Sequence, residues 1–142
     1  MKTHDSLNRF LDAQSTSYEQ ALSEIKSGRK RSHWMWFIFP QLQGLGYSET
    51  ARFYAIKDLT EAELYLQHPV LGPRLIEISK AMLALEGKTA NQILGNPDDL
   101  KLRSSMTLFA AVPELDSVFK AVLDKYYAGK ADERTLQLLN KL

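Results

Sequence analysis

The chain has 142 residues, of which 44% are hydrophobic and 25% are charged, values that are ordinary for a folded protein and argue against disorder. Its 18 basic residues nearly balance its 17 acidic ones, so overall charge gives no support for nucleic-acid binding. The absence of cysteine excludes disulfides, thiolate metal sites and cysteine nucleophiles. A chain of this length suits one domain, and we expect residues 1–142 to form a single helical domain.

The sequence shows no signal for export. No apolar stretch follows the charges at its N-terminus, and its longest apolar run, residues 34–40, is far shorter than the roughly 20 residues that span a bilayer. We therefore expect a cytoplasmic protein without a membrane partner.

Apolar residues recur at helical spacing along most of the chain, and alternating strand patterns are missing. This predicts an all-α fold of about seven to nine short helices. Near the N-terminus, the polar run 15–17 is expected to end a first helix. Ser17 with Gln20 forms a capping-box pattern, which predicts a second helix ending at Gly28.

Residues 34–40 form a run dominated by aromatic and large aliphatic side chains. Ser32 predicts the cap of a short helix here, and a buried strand is the alternative, since periodicity cannot separate the two over so short a run. Residues two apart lie about 200° apart around a helix, so we expect one tryptophan to pack inward while the other lines a groove. The simpler interpretation assigns all these rings to the core. The candidate ligand-binding residues of this segment are His33, Trp34, Trp36 and Gln41.

The charged residues around this run are all basic. The stretch between Glu24 and Glu49 contains no acidic residue, whereas it contains Lys26, Arg29, Lys30 and Arg31. Such a run is typical of a solvated loop, and the alternative is a contact for a phosphate group. The Gly-Leu-Gly turn before a predicted helix start favours the alternative, because backbone N–H groups at such a turn can hold an anion. The candidate anion-binding residues are Arg29, Lys30, Arg31, Gly44, Gly46 and Ser48.

Helix signals continue through the middle of the chain. Ser48 is the expected cap of a short helix, and Thr60 with Glu63 forms a capping box that opens a helix closed by residues 68–69. The next helix ends at Gly87 and has apolar residues spaced by four and three. These are Leu71, Leu75, Ile78, Met82 and Leu85.

The last third of the chain predicts three more helices. Asn96 with Pro97 marks the start of the first, Pro113 opens the second, and Asp132 caps the third, whose apolar residues are Leu136, Leu139 and Leu142. We expect the second of these helices to share a core with Leu75, Ile78 and Met82. Its apolar stripe consists of Leu115, Val118, Phe119, Val122, Leu123 and Tyr126.

The helix that begins near residue 98 carries a polar ladder of Asp99, Arg103 and Thr107 between apolar positions. Asp99 and Arg103 have the favourable order for an ion pair one turn apart. Alternatively, Arg103 takes the carboxylate or phosphate of a ligand, to which Ser104 donates a hydrogen bond. If the helix is central, the charge of Arg103 must meet a carboxylate, backbone carbonyls or such a ligand, because an unpaired buried guanidinium is too costly.

Catalytic templates are missing. The three histidines form no HExxH motif or pair one turn apart, and no GxSxG motif is present. Asp98 and Asp99 point about 100° apart on a helix and cannot share a proton. The sequence thus predicts no metal site, and it identifies neither a cofactor nor a reaction.

The run SHWMWFIFPQ at 32–41, with the turn at 44–48 and the block DDLKLRSSMTLF at 98–109, resembles a family of mainly helical bacterial proteins that share a domain of unknown function. That family is typified by a mycobacterial conserved hypothetical protein, and its members often carry the label calpastatin, which is a mislabel. The resemblance extends from about Leu7 to Phe119 and implies one mainly helical domain. It implies no established activity and no catalytic residues.

Two functional hypotheses follow. The first is a site that binds, or binds and processes, a small anionic or nucleotide-like ligand in a cleft between the SHWMWFIFPQ run and the DDLKLRSS helix. The second is a protein-interaction module without catalytic activity, with the aromatic residues 34–39 partly exposed as a surface for a partner. Nucleic-acid binding ranks below both, because it rests on one patch of charge.

Overall fold

The computed structural model describes residues 7–113 and 117–140. Nine helices lie in these ranges, which contain no strand and only one isolated β-bridge, between Leu42 and Ile56. This confirms the predicted all-α class. The helices are α1 (Asn8–Lys26), α2 (Met35–Ile38), α3 (Glu49–Phe53), α4 (Leu59–Gln67), α5 (Leu71–Ala84), α6 (Ala90–Leu94), α7 (Asp98–Ala110), α8 (Val118–Tyr127) and α9 (Glu133–Asn140).

The described helices other than α3 contribute to one hydrophobic core, and α7 lies at its centre. α7 packs against α4, α6, α8 and α9, while α5 packs against α1, α4 and α8. Residues 104–109 of α7 are all buried, which agrees with the apolar positions predicted on two sides of this helix. None of the helices in the described ranges is long and apolar enough to cross a membrane.

The predicted packing of α8 on α5 is confirmed. Val118, Phe119 and Val122 are buried in the shared core, and the Tyr126 hydroxyl donates a hydrogen bond to the Met82 carbonyl oxygen. The helix begins at Val118, later than Pro113 suggested, and Leu115 lies outside the described residues.

The predicted break at residues 15–17 is wrong, because α1 runs through it without interruption. The Ser15 hydroxyl donates to the Asp12 carbonyl oxygen at 2.8 Å, so it bonds back to the preceding turn. Phe10, Gln14 and Tyr18, spaced by four, are all buried on one face that spans the polar run. Burial of this continuous face prevails over the local capping signal at Ser17.

The cap of α4 is Asp58 and not Thr60, since the Asp58 carboxylate accepts a hydrogen bond from the Glu61 backbone N–H at 2.9 Å. Asp58 lies two residues before Thr60 in an extended conformation and supplies the capping acceptor, so the helix begins at Leu59. Ser48 does cap α3, accepting from the Ala51 N–H at 3.1 Å. The predicted closure of α4 at His68 is also correct.

Near the C-terminus, the start of α7 and the inward face of α9 differ from the predicted ones. Pro97 occupies the cap position of α7, one residue later than predicted. Asp132 caps α9 as expected and accepts from the Thr135 N–H at 3.0 Å. However, Leu136 is 41% exposed and Thr135 is buried, so the inward face of α9 is rotated from the predicted one. The Asp132–Thr135 hydrogen bonds satisfy the buried hydroxyl and make this rotation possible. Leu142 lies outside the described residues.

Gly72 allows the close approach of α4 and α5. A Cβ atom built at this position would lie 2.0 Å from the Leu66 carbonyl oxygen, a backbone atom that cannot move aside. Any larger side chain would force the two helices apart.

Candidate functional site

The aromatic run forms a short helix, which resolves the helix-or-strand alternative in favour of the helix. Trp34 precedes it and is 1% exposed, whereas Trp36 is half-buried. The expectation that the two tryptophans face different environments is confirmed. Most of the run is buried, so the aromatic surface that the interaction hypothesis needs is limited to the partly exposed rings of Trp36 and Phe37. The buried members are Trp34, Met35, Ile38, Phe39 and Pro40.

Glu24 of α1 fixes the start of this run. Its carboxylate, in a residue that is 9% exposed, accepts hydrogen bonds from the Arg31 N–H at 2.8 Å and the Ser32 hydroxyl at 2.6 Å. It also accepts from the Ser32 N–H and from the Trp34 indole Nε1–H at 2.9 Å. Burial alone would raise the pKa of Glu24, but these donors, led by the Ser32 hydroxyl, outweigh it and lower the pKa to about 2.

A charged bridge joins the aromatic run to α7. Asp98 pairs with Lys30 at 2.9 Å and with Lys101 at 3.3 Å. The Lys30 ammonium lies 5.1 Å from the centre of the Trp34 ring, and that of Lys101 lies 3.7 Å from the centre of the Trp36 ring. Each lysine is thus held by one carboxylate and one aromatic face, and the bridge fixes Trp36 beside the first turn of α7.

Beside this bridge lies a cleft of about 190 Å³, which we call the Trp36 cleft. One wall comes from the end of the aromatic run and the turn after it, the second from the first half of α7, and the third from the start of α9. Its lining residues are Trp36, Gln41, Leu45, Gly46, Pro97, Leu100, Lys101, Ser104, Asp132 and Arg134.

Gly46 has no room for a side chain at the edge of this cleft. A Cβ atom there would lie 2.6 Å from the Ala51 Cβ atom and 3.8 Å from the Trp36 ring. The glycine therefore lets the turn pack closely against both α3 and Trp36.

The polar groups of the cleft divide into engaged and available ones. The Ser104 hydroxyl donates to the Leu100 carbonyl oxygen at 3.2 Å, and Asp132 caps α9. Within the described part of the chain, the Arg134 guanidinium and the Gln41 amide have neither a hydrogen-bond nor an ion-pair partner. Two donor groups are therefore available to an occupant.

Of the predicted ligand-binding residues, the structure brings Trp36, Gln41 and Ser104 together in the Trp36 cleft. Trp34 is in the core and His33 is exposed on the preceding loop. Asp99 and Arg103, although on α7, do not line the cleft, because they lie on another side of the helix.

Arg103 does not form the predicted ion pair with Asp99 in the described part of the chain. Its guanidinium donates to the carbonyl oxygens of Lys130 at 2.9 Å and Ala131 at 3.0 Å. It therefore takes the backbone-carbonyl alternative and fastens the α8–α9 connection to α7. Thr107 supports the same connection by accepting from the Asp132 N–H at 2.8 Å.

Replacing Arg103 by Met is expected to lower the free energy of unfolding by about 1–3 kcal/mol, because two carbonyl oxygens lose their donors. This is less than for a broken buried ion pair, since the orphaned partners are neutral. Urea denaturation of the purified variant measures the change, with Arg103→Lys as the control that keeps the charge and loses the fork. An unchanged stability for Arg103→Met would contradict the structural role.

The predicted anion-binding residues do not form one site. Arg29 and Lys30 line a separate pocket beside α6, and Arg31 is exposed while its N–H is bound by Glu24. Gly44 lies on a different cleft, around Tyr47, and Gly46 borders both that cleft and the Trp36 cleft. Ser48 is used as the cap of α3.

Sequence reasoning missed Lys101 and Arg134 as site residues. Lys101 follows Asp98 by one helical turn, a spacing that signals an ion pair and not a site. Arg134 comes from the far end of the chain, and no local pattern connects it to Trp36. In the ranges 7–113 and 117–140, no group of three or more His, Asp or Glu side chains is arranged to hold a metal ion.

All three walls of the Trp36 cleft fall within residues 4–139, which match the family model described as a protein of unknown function, DUF1810. The chain belongs to this family. It is also similar to the crystal structure of the conserved hypothetical protein Rv1873 from Mycobacterium tuberculosis, at 51% sequence identity and a TM-score of 0.93. That match covers 94% of this chain and 96% of the other. No curated protein matches the chain.

The DUF1810 match confirms the resemblance found in the SHWMWFIFPQ run and the DDLKLRSSMTLF block, as well as the helical fold that it implies. The family description carries no activity. The chemistry of the Trp36 cleft therefore has to come from its own side chains.

Proposed function

We propose that this chain binds a small anionic ligand in the Trp36 cleft. The observation that carries the proposal is the convergence of Lys101, Arg134 and the Gln41 amide on one concave site beside a half-buried tryptophan. Convergent polar donors next to an apolar wall are the usual composition of a small-molecule site.

The charge of the cleft supports an anion. Lys101 shares Asp98 with Lys30, so this carboxylate offsets only one of the two lysines. Asp132 also lines the cleft, and its carboxylate keeps its negative charge although Thr135 donates hydrogen bonds to it. Arg134 adds a third cation, so the three basic groups exceed the two carboxylates by one positive charge. A carboxylate or phosphate would restore the balance through charge-assisted hydrogen bonds.

The size of the cleft favours a small molecule over a whole nucleotide. Its volume of about 190 Å³ is below the roughly 300–1,000 Å³ of pockets that hold drug-sized ligands. This suits a phosphate, a dicarboxylate or one end of a sugar phosphate. A nucleotide would place its phosphate inside and leave its base outside.

Trp36 forms the apolar wall of the site, and its ring is a spectroscopic probe of binding. The Lys101 ammonium lies over the Trp36 ring. An anion bound between Lys101 and Arg134 would draw the ammonium toward itself and alter the surroundings of the ring. Binding should therefore be visible at Trp36 and not at Trp34.

Isothermal titration calorimetry at low salt tests the proposal, with inorganic phosphate, succinate and AMP as probes. We expect at least one probe to bind the wild-type chain, and Lys101→Met and Arg134→Met each to weaken it by about tenfold or more, as expected for a lost charge-assisted hydrogen bond. Lys120→Met is the matched control, because it removes one surface cation from α8. The Lys120 side chain is 71% exposed.

Two results would count against the proposal. One is the absence of binding of all three probes at millimolar concentration. The other is equal affinity in Lys101→Met, Arg134→Met and the control variant. Urea denaturation of each variant establishes that a lost signal is not lost folding.

A further inference from the structure

A second pocket, of about 510 Å³, lies between the turn that follows α1 and the segment from Gly87 to Gly95; we call it the α6 pocket. Two contacts hold its walls together. The Lys30 backbone N–H donates to the Ile93 carbonyl oxygen at 2.7 Å, and the Lys88 ammonium donates to the Gly28 carbonyl oxygen at 3.0 Å. The cavity is thus set by tertiary contacts between distant segments and is not a gap in a loose loop.

The α6 pocket is strongly cationic. Arg29, Lys30 and Lys88 line it, and no carboxylate is among the described residues of its lining. Lys30 is neutralised by Asp98. Arg29 and Lys88 have no ion-pair partner in the ranges that the structure describes, so two positive charges face the pocket region without a counter-charge. Bringing like charges together is unfavourable unless an anion joins them.

The polar groups of the pocket suit phosphoryl oxygens. The Asn91 amide has only a long, 3.4 Å contact to Asp99, so its donor can be redirected to a ligand. Lys88 is held in place by its bond to Gly28, and an ammonium has two further donors to offer. Arg29 contributes the planar fork that binds phosphate in a bidentate manner.

The lining also limits the remainder of the ligand. No aromatic side chain is among the described residues of the pocket, so nothing there would stack on a base. The volume of about 510 Å³ falls within the roughly 300–1,000 Å³ of small-molecule pockets and is more than one phosphate needs. These features favour a ligand with more than one phosphoryl group on a polar, non-aromatic body.

We propose that the α6 pocket is a binding site for a polyphosphorylated, non-aromatic small molecule, distinct from the Trp36 cleft. Arg29 and Lys88 bind the phosphoryl groups, and Asn91 donates a further hydrogen bond. The two sites share no lining residue. Lys30 lines the α6 pocket and Lys101 lines the Trp36 cleft, with Asp98 between them.

Calorimetric titration of the full chain with pyrophosphate and with fructose 1,6-bisphosphate tests this site. We expect saturable binding that weakens with added salt, and a loss of affinity of about tenfold or more in Arg29→Met. Arg29 is the primary variant because its side chain has no protein partner in the described residues, so its removal leaves the fold intact. Lys88→Met should weaken binding similarly, and its stability is checked by urea denaturation.

Lys120→Met should retain wild-type affinity for both probes. Binding by neither probe, or an Arg29→Met variant that binds as tightly as Lys120→Met, would overturn the proposal. Loss of pyrophosphate binding in Arg134→Met but not in Arg29→Met would also overturn it, since the anion would then occupy the Trp36 cleft. If neither probe binds the α6 pocket, the effect of Lys101→Met on anion binding in the Trp36 cleft can still be measured, so the two sites are tested separately.

Discussion

Replacement of Glu24 by Ala is expected to lower the free energy of unfolding by about 3–4 kcal/mol. The carboxylate accepts hydrogen bonds from Arg31, Ser32 and the Trp34 indole, and its removal leaves the buried indole N–H without its acceptor. Hydrogen bonds to a charged group contribute about 1.5–3 kcal/mol each and are not additive within one cluster. Urea denaturation measures the loss, and Glu19→Ala, an exposed glutamate on the same helix, should change stability by less than about 0.5 kcal/mol.

The same carboxylate gives the fold an acid-sensitive contribution. Because the pKa of Glu24 is lowered from 4.5 to about 2 in the folded chain, the ionised form stabilises the fold above pH 4.5. That stabilisation is lost as the pH falls from 4.5 toward 2. Glu24→Gln keeps an acceptor oxygen but cannot titrate, so its stability should fall less steeply across this range. Identical pH profiles for wild type and Glu24→Gln would contradict the assignment.

Replacement of Phe119 by Ala is expected to cost about 3–5 kcal/mol, from lost burial and the cavity that remains. Phe119 is 1% exposed, and the centre of its ring lies 5.8 Å from that of Phe109 at the α7–α8 contact. Because α7 contributes one wall of the Trp36 cleft, the variant should also weaken anion binding. Lys120→Ala, the exposed neighbour, is the control. A cost for Phe119→Ala below about 1 kcal/mol, the range of surface changes, would contradict the packing of α8.

The helices were predictable wherever one apolar face persists. The stripe that contains Val118, Phe119 and Val122 identifies α8 because burial on one side imposes a helical period. The capping pattern at Ser17 led to a wrong prediction of a helix start. The helix continues through Ser17 because Gln14 and Tyr18, on either side of it, are both buried on one face, and the burial of that face stabilises the continuous helix. Period alone could not assign residues 34–40, which are buried on nearly all sides, to a helix or a strand.

The candidate site was only partly accessible to sequence reasoning. Trp36 stood out because a second tryptophan two residues earlier could not share its face. Arg134 could not be found, since only the docking of α9 on α7 brings it to the cleft. Glu24 was missed for the same reason. Its buried carboxylate is bound by donors seven to ten residues later in the chain, beyond the end of α1, where no helical spacing links them to Glu24.

The most direct test of the anion site follows the two tryptophan indole N–H signals by NMR while the tightest of the three calorimetric probes is added. Trp36→Phe assigns the signals. The Trp36 signal should shift and saturate at the calorimetric affinity, whereas the Trp34 signal, held by its 2.9 Å bond to Glu24, should stay in place. A Trp36 signal that does not move, or moves only in parallel with that of Trp34, would contradict binding in the Trp36 cleft.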